Sequence, residues 1–290
     1  MGLNKKMSRK FPIVALTGAS GAGKTNVKEI FKQIFNSQGI KVLFVEGDSF
    51  HRFTRQEMEQ NDKALQTITH FNPEANLLKE LEDLFATFSL SGAGKTRHYI
   101  HSEEDFIKHN TKIGHFSAWK EIAPADFLFY EGLHAGHVDE NINIARKVDL
   151  LIGVAPIINL EWIQKIERDK LVRGYTEKNA VEMIKKRLPD YIKYICPQFS
   201  RTDANIQRVP LVDTSNPFST ESIPKDSESL FIFEIKKPRR FAISLEEVCE
   251  KVPGSFLTSQ NSLASPGTSL NKLLVTIFSP TINRLASSNI

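Results

Sequence analysis

One eight-residue run, Gly18-Ala19-Ser20-Gly21-Ala22-Gly23-Lys24-Thr25, constrains this chain more than any other feature. It fits GxxxxGK[ST] at every fixed position. Residues 11–17 (FPIVALT) form a short apolar run before it. After it, Val27, Ile30, Phe31, Ile34 and Phe35 recur at helical spacing. A strand, a glycine-rich loop and a helix in that order form a phosphate cradle. The glycines let backbone N–H groups turn toward phosphate oxygens, and the helix N-terminus adds positive potential. Lys24 is placed to reach the β- and γ-phosphates of ATP, and the Thr25 hydroxyl to ligate Mg2+. Part of the run recurs: Ser91-Gly-Ala-Gly-Lys-Thr96 repeats residues 20–25 letter for letter. There Ser89 holds the place of the first glycine, and the copy follows a helical pattern rather than a strand. A flexible basic loop is expected instead of a second cradle.

The hydrophobic pattern extends the layout along the chain. Residues 42–45 form a second strand after Gly39, and 127–130 and 150–154 two more. Helical spacing marks 74–88, 160–172 and 180–195, the last kinked at Pro189. Strands alternating with helices predict an α/β fold, a mostly parallel sheet with helices on both faces. Beyond Asn205 the pattern changes. Segments 209–213 and 230–235 and the apolar residues near 272–277 predict added C-terminal strands and a final helix. The Ser- and Pro-bearing stretch 258–269 reads as a surface loop. The expected organisation is a basic tail over 1–10 and one domain over 11–290. Within that domain, 11–205 form the nucleotide and substrate core and 206–290 an extension of it.

Composition narrows the classes. A net charge of +4, from 38 Lys+Arg against 34 Asp+Glu, is too small to argue for nucleic acid. The longest apolar run, near 150–160, falls short of the roughly 18 residues of a membrane span. Pro12 opens the apolar run behind the basic N-terminus, which reads as a buried strand rather than a leader. The two cysteines, Cys196 and Cys249, form no short-spaced pair. This is neither a disulfide framework nor a CxxC site, and a cytoplasmic setting is expected.

Two acids are expected at the crevice where open α/β sheets bind ligands, beyond the carboxyl ends of the strands. Phe127-Leu-Phe-Tyr-Glu131-Gly132 puts Glu131 at a strand end, as a metal-binding acid beside the cradle. Val45-Glu-Gly-Asp48-Ser-Phe-His51 puts Asp48 at another. Asp48 fits either a carboxylate that accepts a hydroxyl proton or the capping residue of a polar loop. His51 and Arg55 suit a substrate phosphate. Lys165, Arg168 and Asp169 share one helix face, and Arg173-Gly174 ends that helix. The cluster fits a closing lid that neutralises γ-phosphoryl charge, or a solvated charged face.

Six segments carry a resemblance. EGDSFHR (46–52), FYEGLH (129–134), INLEWIQKI (158–166), RGY (173–175), PQFSRTD (197–203) and QRVPLVDTSNPF (207–218) are similar to bacterial-type phosphoribulokinases, over roughly 11–285. The resemblance implies a P-loop kinase-like fold and ATP-dependent phosphorylation of the C1 hydroxyl of D-ribulose 5-phosphate. It further implies a link to the Calvin cycle and a homo-oligomer. It makes Asp48 the general base and assigns His51, Arg55 and Arg173 to the sugar phosphate. Tyr99 and His101 fall on the sugar side, Glu131 at the metal or base-assisting position, and Lys165, Arg168 and Asp169 in the catalytic lid. Two other readings share these residues. One is a uridine-kinase-like enzyme or another sugar kinase, against which the phosphate-binding His51, Arg55 and Arg173 speak. The other is a non-catalytic nucleotide-binding regulator, which needs no proton acceptor such as Asp48.

Overall fold

The computed structural model describes residues 11–60, 68–218 and 222–287; the predicted tail 1–10 lies outside them. In chain order the elements are β1 (Ile13–Thr17), α1 (Lys24–Ser37), β2 (Val42–Glu46), α2 (Arg55–Gln60), α3 (Leu78–Ser91), β3 (Gly94–Thr96), α4 (Glu103–His109), β4 (Lys120–Ile122), β5 (Phe127–Gly132) and β6 (Leu150–Val154). There follow α5 (Ile158–Arg173), α6 (Glu177–Asp190), β7 (Ala204–Pro210), β8 (Ser229–Ile235), α7 (Leu245–Lys251), β9 (Phe256–Ser259), β10 (Ser262–Pro266) and α8 (Leu270–Ser287).

Eight strands form one sheet in the order β2-β5-β1-β6-β7-β8-β10-β9. The first five run parallel, and β8, β10 and β9 continue the sheet antiparallel from β7. Side chains alternate between two cores because successive strand residues point to opposite faces. Val14 and Leu16 of β1 join Phe127 and Phe129 of β5 in one core. Ile13 and Ala15 join Leu128 and Tyr130 in the other. Both faces are therefore apolar, as a covered parallel sheet demands. Helices α1, α7 and α8 cover the first face and α3 the second.

The extension is built into the first core. Phe278 of α8 is fully buried and packs its ring 4.8 Å from Phe31 of α1 and 5.9 Å from Phe233 of β8. Phe278→Ala should cost about 3–5 kcal/mol. Denaturant unfolding is expected to show that loss as one transition for the whole chain. A separate transition for residues 206–290 would sink the proposal of a single domain.

The sequence expectations need four corrections. Segment 258–269 is no surface loop: β10 runs between β8 and β9, with Leu263, Ala264 and Ser265 buried. Ser262 and Ser265 read as turn residues but are the small side chains of an inner strand, while Ser259 ends the exposed edge strand β9. Strand β7 starts at Ala204, ahead of the expected 209–213, because Ala204 and Ile206 are the buried alternate pair and Leu211 and Val212 are exposed. Helix α3 begins at Leu78 rather than residue 74. Ahead of it, Asn72 caps a single 3-10 turn (Pro73–Ala75), and Asn76 then pairs with His51 as an isolated bridge. The copied hexapeptide is not a loop either: Gly92 closes α3 in the left-handed region and Gly94–Thr96 pairs with Lys120–Ile122. At Pro189, α6 passes into a π turn over Tyr191–Ile195, since proline gives no N–H to the preceding turn.

Candidate active site

The cradle forms at the carboxyl end of β1. Gly21 and Gly23 take φ of 98° and 88°, a region that favours glycine, and this turns the loop into the first turn of α1. Lys24 curls back and donates to the carbonyls of Gly18 (3.0 Å) and Ala19 (2.8 Å). Burial lowers its pKa, against the attraction of Glu131, Asp48 and Glu161.

A cleft of about 690 Å³ opens over this loop. It brings together Lys24, Thr25, Asp48, His51, Glu131 and Arg168, from segments distant in sequence. Asp48 arrives on a 3-10 turn directly after β2. That turn can approach β5 because residue 47 is glycine: a Cβ there would lie 2.7 Å from Gly132 Cα. Asp48 is flanked by His51 Nε2 at 3.2 Å and His101 Nε2 at 3.5 Å. Its enclosure would raise its pKa, but His51, His101 and Arg55 outweigh that and hold the carboxyl well below the usual range. The side chain remains 39% exposed, so its oxygens are open to the cleft. Tyr99 is buried, with its ring under Arg55 (5.5 Å) and against His101 (4.8 Å), and so supports these two side chains.

Glu131 is the penultimate residue of β5, and Lys28 bridges it (3.1 Å) and Glu46 (2.9 Å). Burial works against the charge on Lys28, yet the two carboxylates raise its pKa. Helix α5 closes the far side. Lys165 and Arg168 both pair with the fully buried Asp169, and Arg168 Nη1 donates to Ser20 Oγ at 2.9 Å. Burial and Arg187 push Lys165 down to about 8, against the pull of Asp169. The cluster is thus not a solvated charged face. Arg173 ends α5, but its side chain lies outside the described residues.

Other side chains at the site escaped the sequence reading. His70 stacks on His51 with centroids 4.1 Å apart. Arg97 lies over Phe116 (3.8 Å to the centroid) and donates to the carbonyls of Ser49 (2.9 Å) and His51 (2.6 Å), which pins the turn that carries Asp48. Arg187 and Arg208 line the cleft. Lys28 could have been found, since it stands one helical turn after Lys24. Arg208 follows from the strand-end rule once β7 is placed at Ala204–Pro210. Arg97 and His70 carry no comparable spacing signal.

The fold and cleft define a P-loop nucleotide-binding protein with a second, cationic compartment facing the cradle. The chain belongs to the Phosphoribulokinase / Uridine kinase family, whose model matches residues 13–215. It is 46% identical to the phosphoribulokinase of Rhizobium meliloti (strain 1021), over 96% of this chain and 97% of that one. To the phosphoribulokinase of Nitrobacter vulgaris it is 44% identical, over 96% and 98%. The solved phosphoribulokinase from Rhodobacter spheroides superposes with a TM-score of 0.86 at 41% identity, over 97% of this chain and 99% of that one.

Proposed function

We propose that this chain is a phosphoribulokinase, which transfers the γ-phosphoryl group of ATP to the C1 hydroxyl of D-ribulose 5-phosphate. The products are ribulose 1,5-bisphosphate, the compound that Calvin-cycle carboxylation consumes, and ADP. The observation that carries the reading is the opposition, across one cleft, of the phosphate cradle and an ionised, solvent-facing Asp48 ringed by His51, His101 and Arg55.

In this reading residues 18–25 hold the ATP phosphates, and Asp48 orients the acceptor hydroxyl and takes its proton as the phosphoryl group departs. His51, Arg55 and Arg173 bind the 5-phosphate, and Tyr99 and His101 form the sugar side. Lys165 and Arg168, fixed by Asp169, would neutralise the charge that spreads over the transferring phosphoryl oxygens; of the two, Arg168 lines the cleft and Lys165 lies behind it. Two hard oxygen donors, Thr25 and Glu131, line the cleft beside Lys24. That set fits Mg2+, a cation held by few protein ligands together with water and phosphate. Lys28 at 3.1 Å from Glu131 marks the place as one that already holds positive charge. When bound, Mg2+ neutralises phosphate charge and aligns the triphosphate. Among the described residues no helix is long and apolar enough to cross a membrane. A cytoplasmic homo-oligomer completes the reading.

The test is ADP formation with Mg2+ across an acceptor panel of ribulose 5-phosphate, other pentose phosphates, uridine and no acceptor. Turnover is expected with ribulose 5-phosphate alone. Preference for uridine would overturn the acceptor and leave the nucleotide site standing. Tight ATP binding without any turnover would favour a regulatory protein.

A further inference from the structure

Behind His51 lies a buried amide. Asn76, only 4% exposed, places its Oδ1 2.7 Å from His51 Nδ1. Its Nδ2 donates to the carbonyls of His70 (2.9 Å) and Asn72 (2.8 Å) and lies 3.1 Å from His134 Nε2. The reverse amide orientation would set Oδ1 against those two carbonyl oxygens, with no proton between them. Oδ1 therefore faces the ring, and an amide oxygen only accepts. His51 Nδ1 must carry a proton.

The placement is built into the backbone. Leu77 N donates to Phe50 O at 2.7 Å, and Arg52 N donates to Ala75 O at 2.8 Å. These bonds zip the segment of Asn76 to the segment of His51, and His51, 7% exposed, is enclosed against it. Stacking on His70 fixes the ring plane. Only Nε2 then faces Asp48, at 3.2 Å from Oδ1.

We propose that Asn76 is a positioning residue for phosphoryl transfer: it commits the Nδ1 proton of His51 inward, so that His51 donates to Asp48 or to a substrate oxygen only as an imidazolium. A neutral His51 held this way turns a lone pair toward the cleft, which neither carboxylate nor phosphate can use. Donor function and positive charge at His51 are thereby tied together. The inference rests on the reading of Asp48 as the base and His51 as a substrate-side group.

The experiment is 15N–1H correlation of the histidine rings, at a pH where His51 is neutral, in the wild type and in Asn76→Ala. The wild-type ring is expected as the Nδ1–H tautomer. Without Asn76 it should revert to the Nε2–H form that an unconstrained imidazole prefers. In turnover, Asn76→Ala should lower kcat/KM for the acceptor roughly 10- to 100-fold, the usual range for a partner that orients a functional side chain. The KM for ATP should not move. In a His51→Gln background the same change should cost less than about twofold, because its effect runs through His51. An Nε2–H tautomer in the wild type would overturn the proposal, and that reading needs no variant to fold. The same tautomer with and without Asn76, or a full additive loss in the His51→Gln background, would overturn it too. The spectra need no acceptor, so a failure of the ribulose 5-phosphate assignment is seen separately in the acceptor panel.

Discussion

Asp48→Asn is expected to keep ATP binding and lose about 10³-fold in turnover with the acceptor, within the span seen for a positioned general base. The amide matches the carboxylate in size, and Arg97 still pins the turn after β2 through the carbonyls of Ser49 and His51, so that turn should hold. What disappears is the carboxylate that takes the hydroxyl proton in the proposed reading. Because His51, His101 and Arg55 hold the Asp48 carboxyl well below the usual range, it is ionised throughout neutral pH. Its protonation should therefore not limit the rate of the wild type there. Single-turnover rates and nucleotide affinity by fluorescence separate the two effects. Undiminished turnover would remove Asp48 from the chemistry.

The second large effect is expected for Lys165→Met. Lys165 is almost fully buried and its backbone and Cβ lie against the P-loop: a Cβ on Gly21 would stand 3.4 Å from Lys165 Cβ. In the proposed reading its ammonium, held on the buried Asp169, serves the charge that develops on the γ-phosphoryl group. Loss of such a preorganised charge should cost about 10²–10³ in kcat. Methionine keeps the bulk, and Arg168 remains to pair with Asp169 at 3.1 Å. The pH profile adds a separate check. With the Lys165 pKa lowered to about 8, the charged form is lost as pH rises through that value. The kcat/KM of the wild type for ATP should therefore fall above about pH 8, tenfold per unit. Bound phosphates stabilise the ammonium, so the limb should move to higher pH in kcat. In Lys165→Met the alkaline limb should vanish; its persistence would assign it to another group.

The parallel half of the sheet and its cleft were legible in the sequence because each signal was local. The strand before Gly18, the helix after it and the acids at residues 48 and 131 each lie within a few positions of a strand end. The alternatives left open for Asp48 and for the Lys165 cluster were not local questions. They depend on His101, Arg187 and Ser20, which only the fold brings near. The antiparallel annex was misread where composition spoke against burial. Ser262 to Pro266 look like turn residues, and only the neighbours β8 and β9 make them an inner strand. Likewise Asn76 reads as one more helix-start residue; its backbone pairing with the His51 segment is a long-range event with no periodic trace.

Strand β1 lies between β5 and β6, and both of its partners are made far later in the chain. A ribosome that has reached residue 120 has therefore released the whole cradle motif while its strand still has no neighbour on either side. The apolar Ile13–Thr17 must wait, unpaired, through all of α1, β2 and α3. Parallel pairing of this kind closes large loops before it gains contacts, which makes such sheets slow to form. The nucleotide site is thus among the first parts of the protein to be synthesised and among the last to exist.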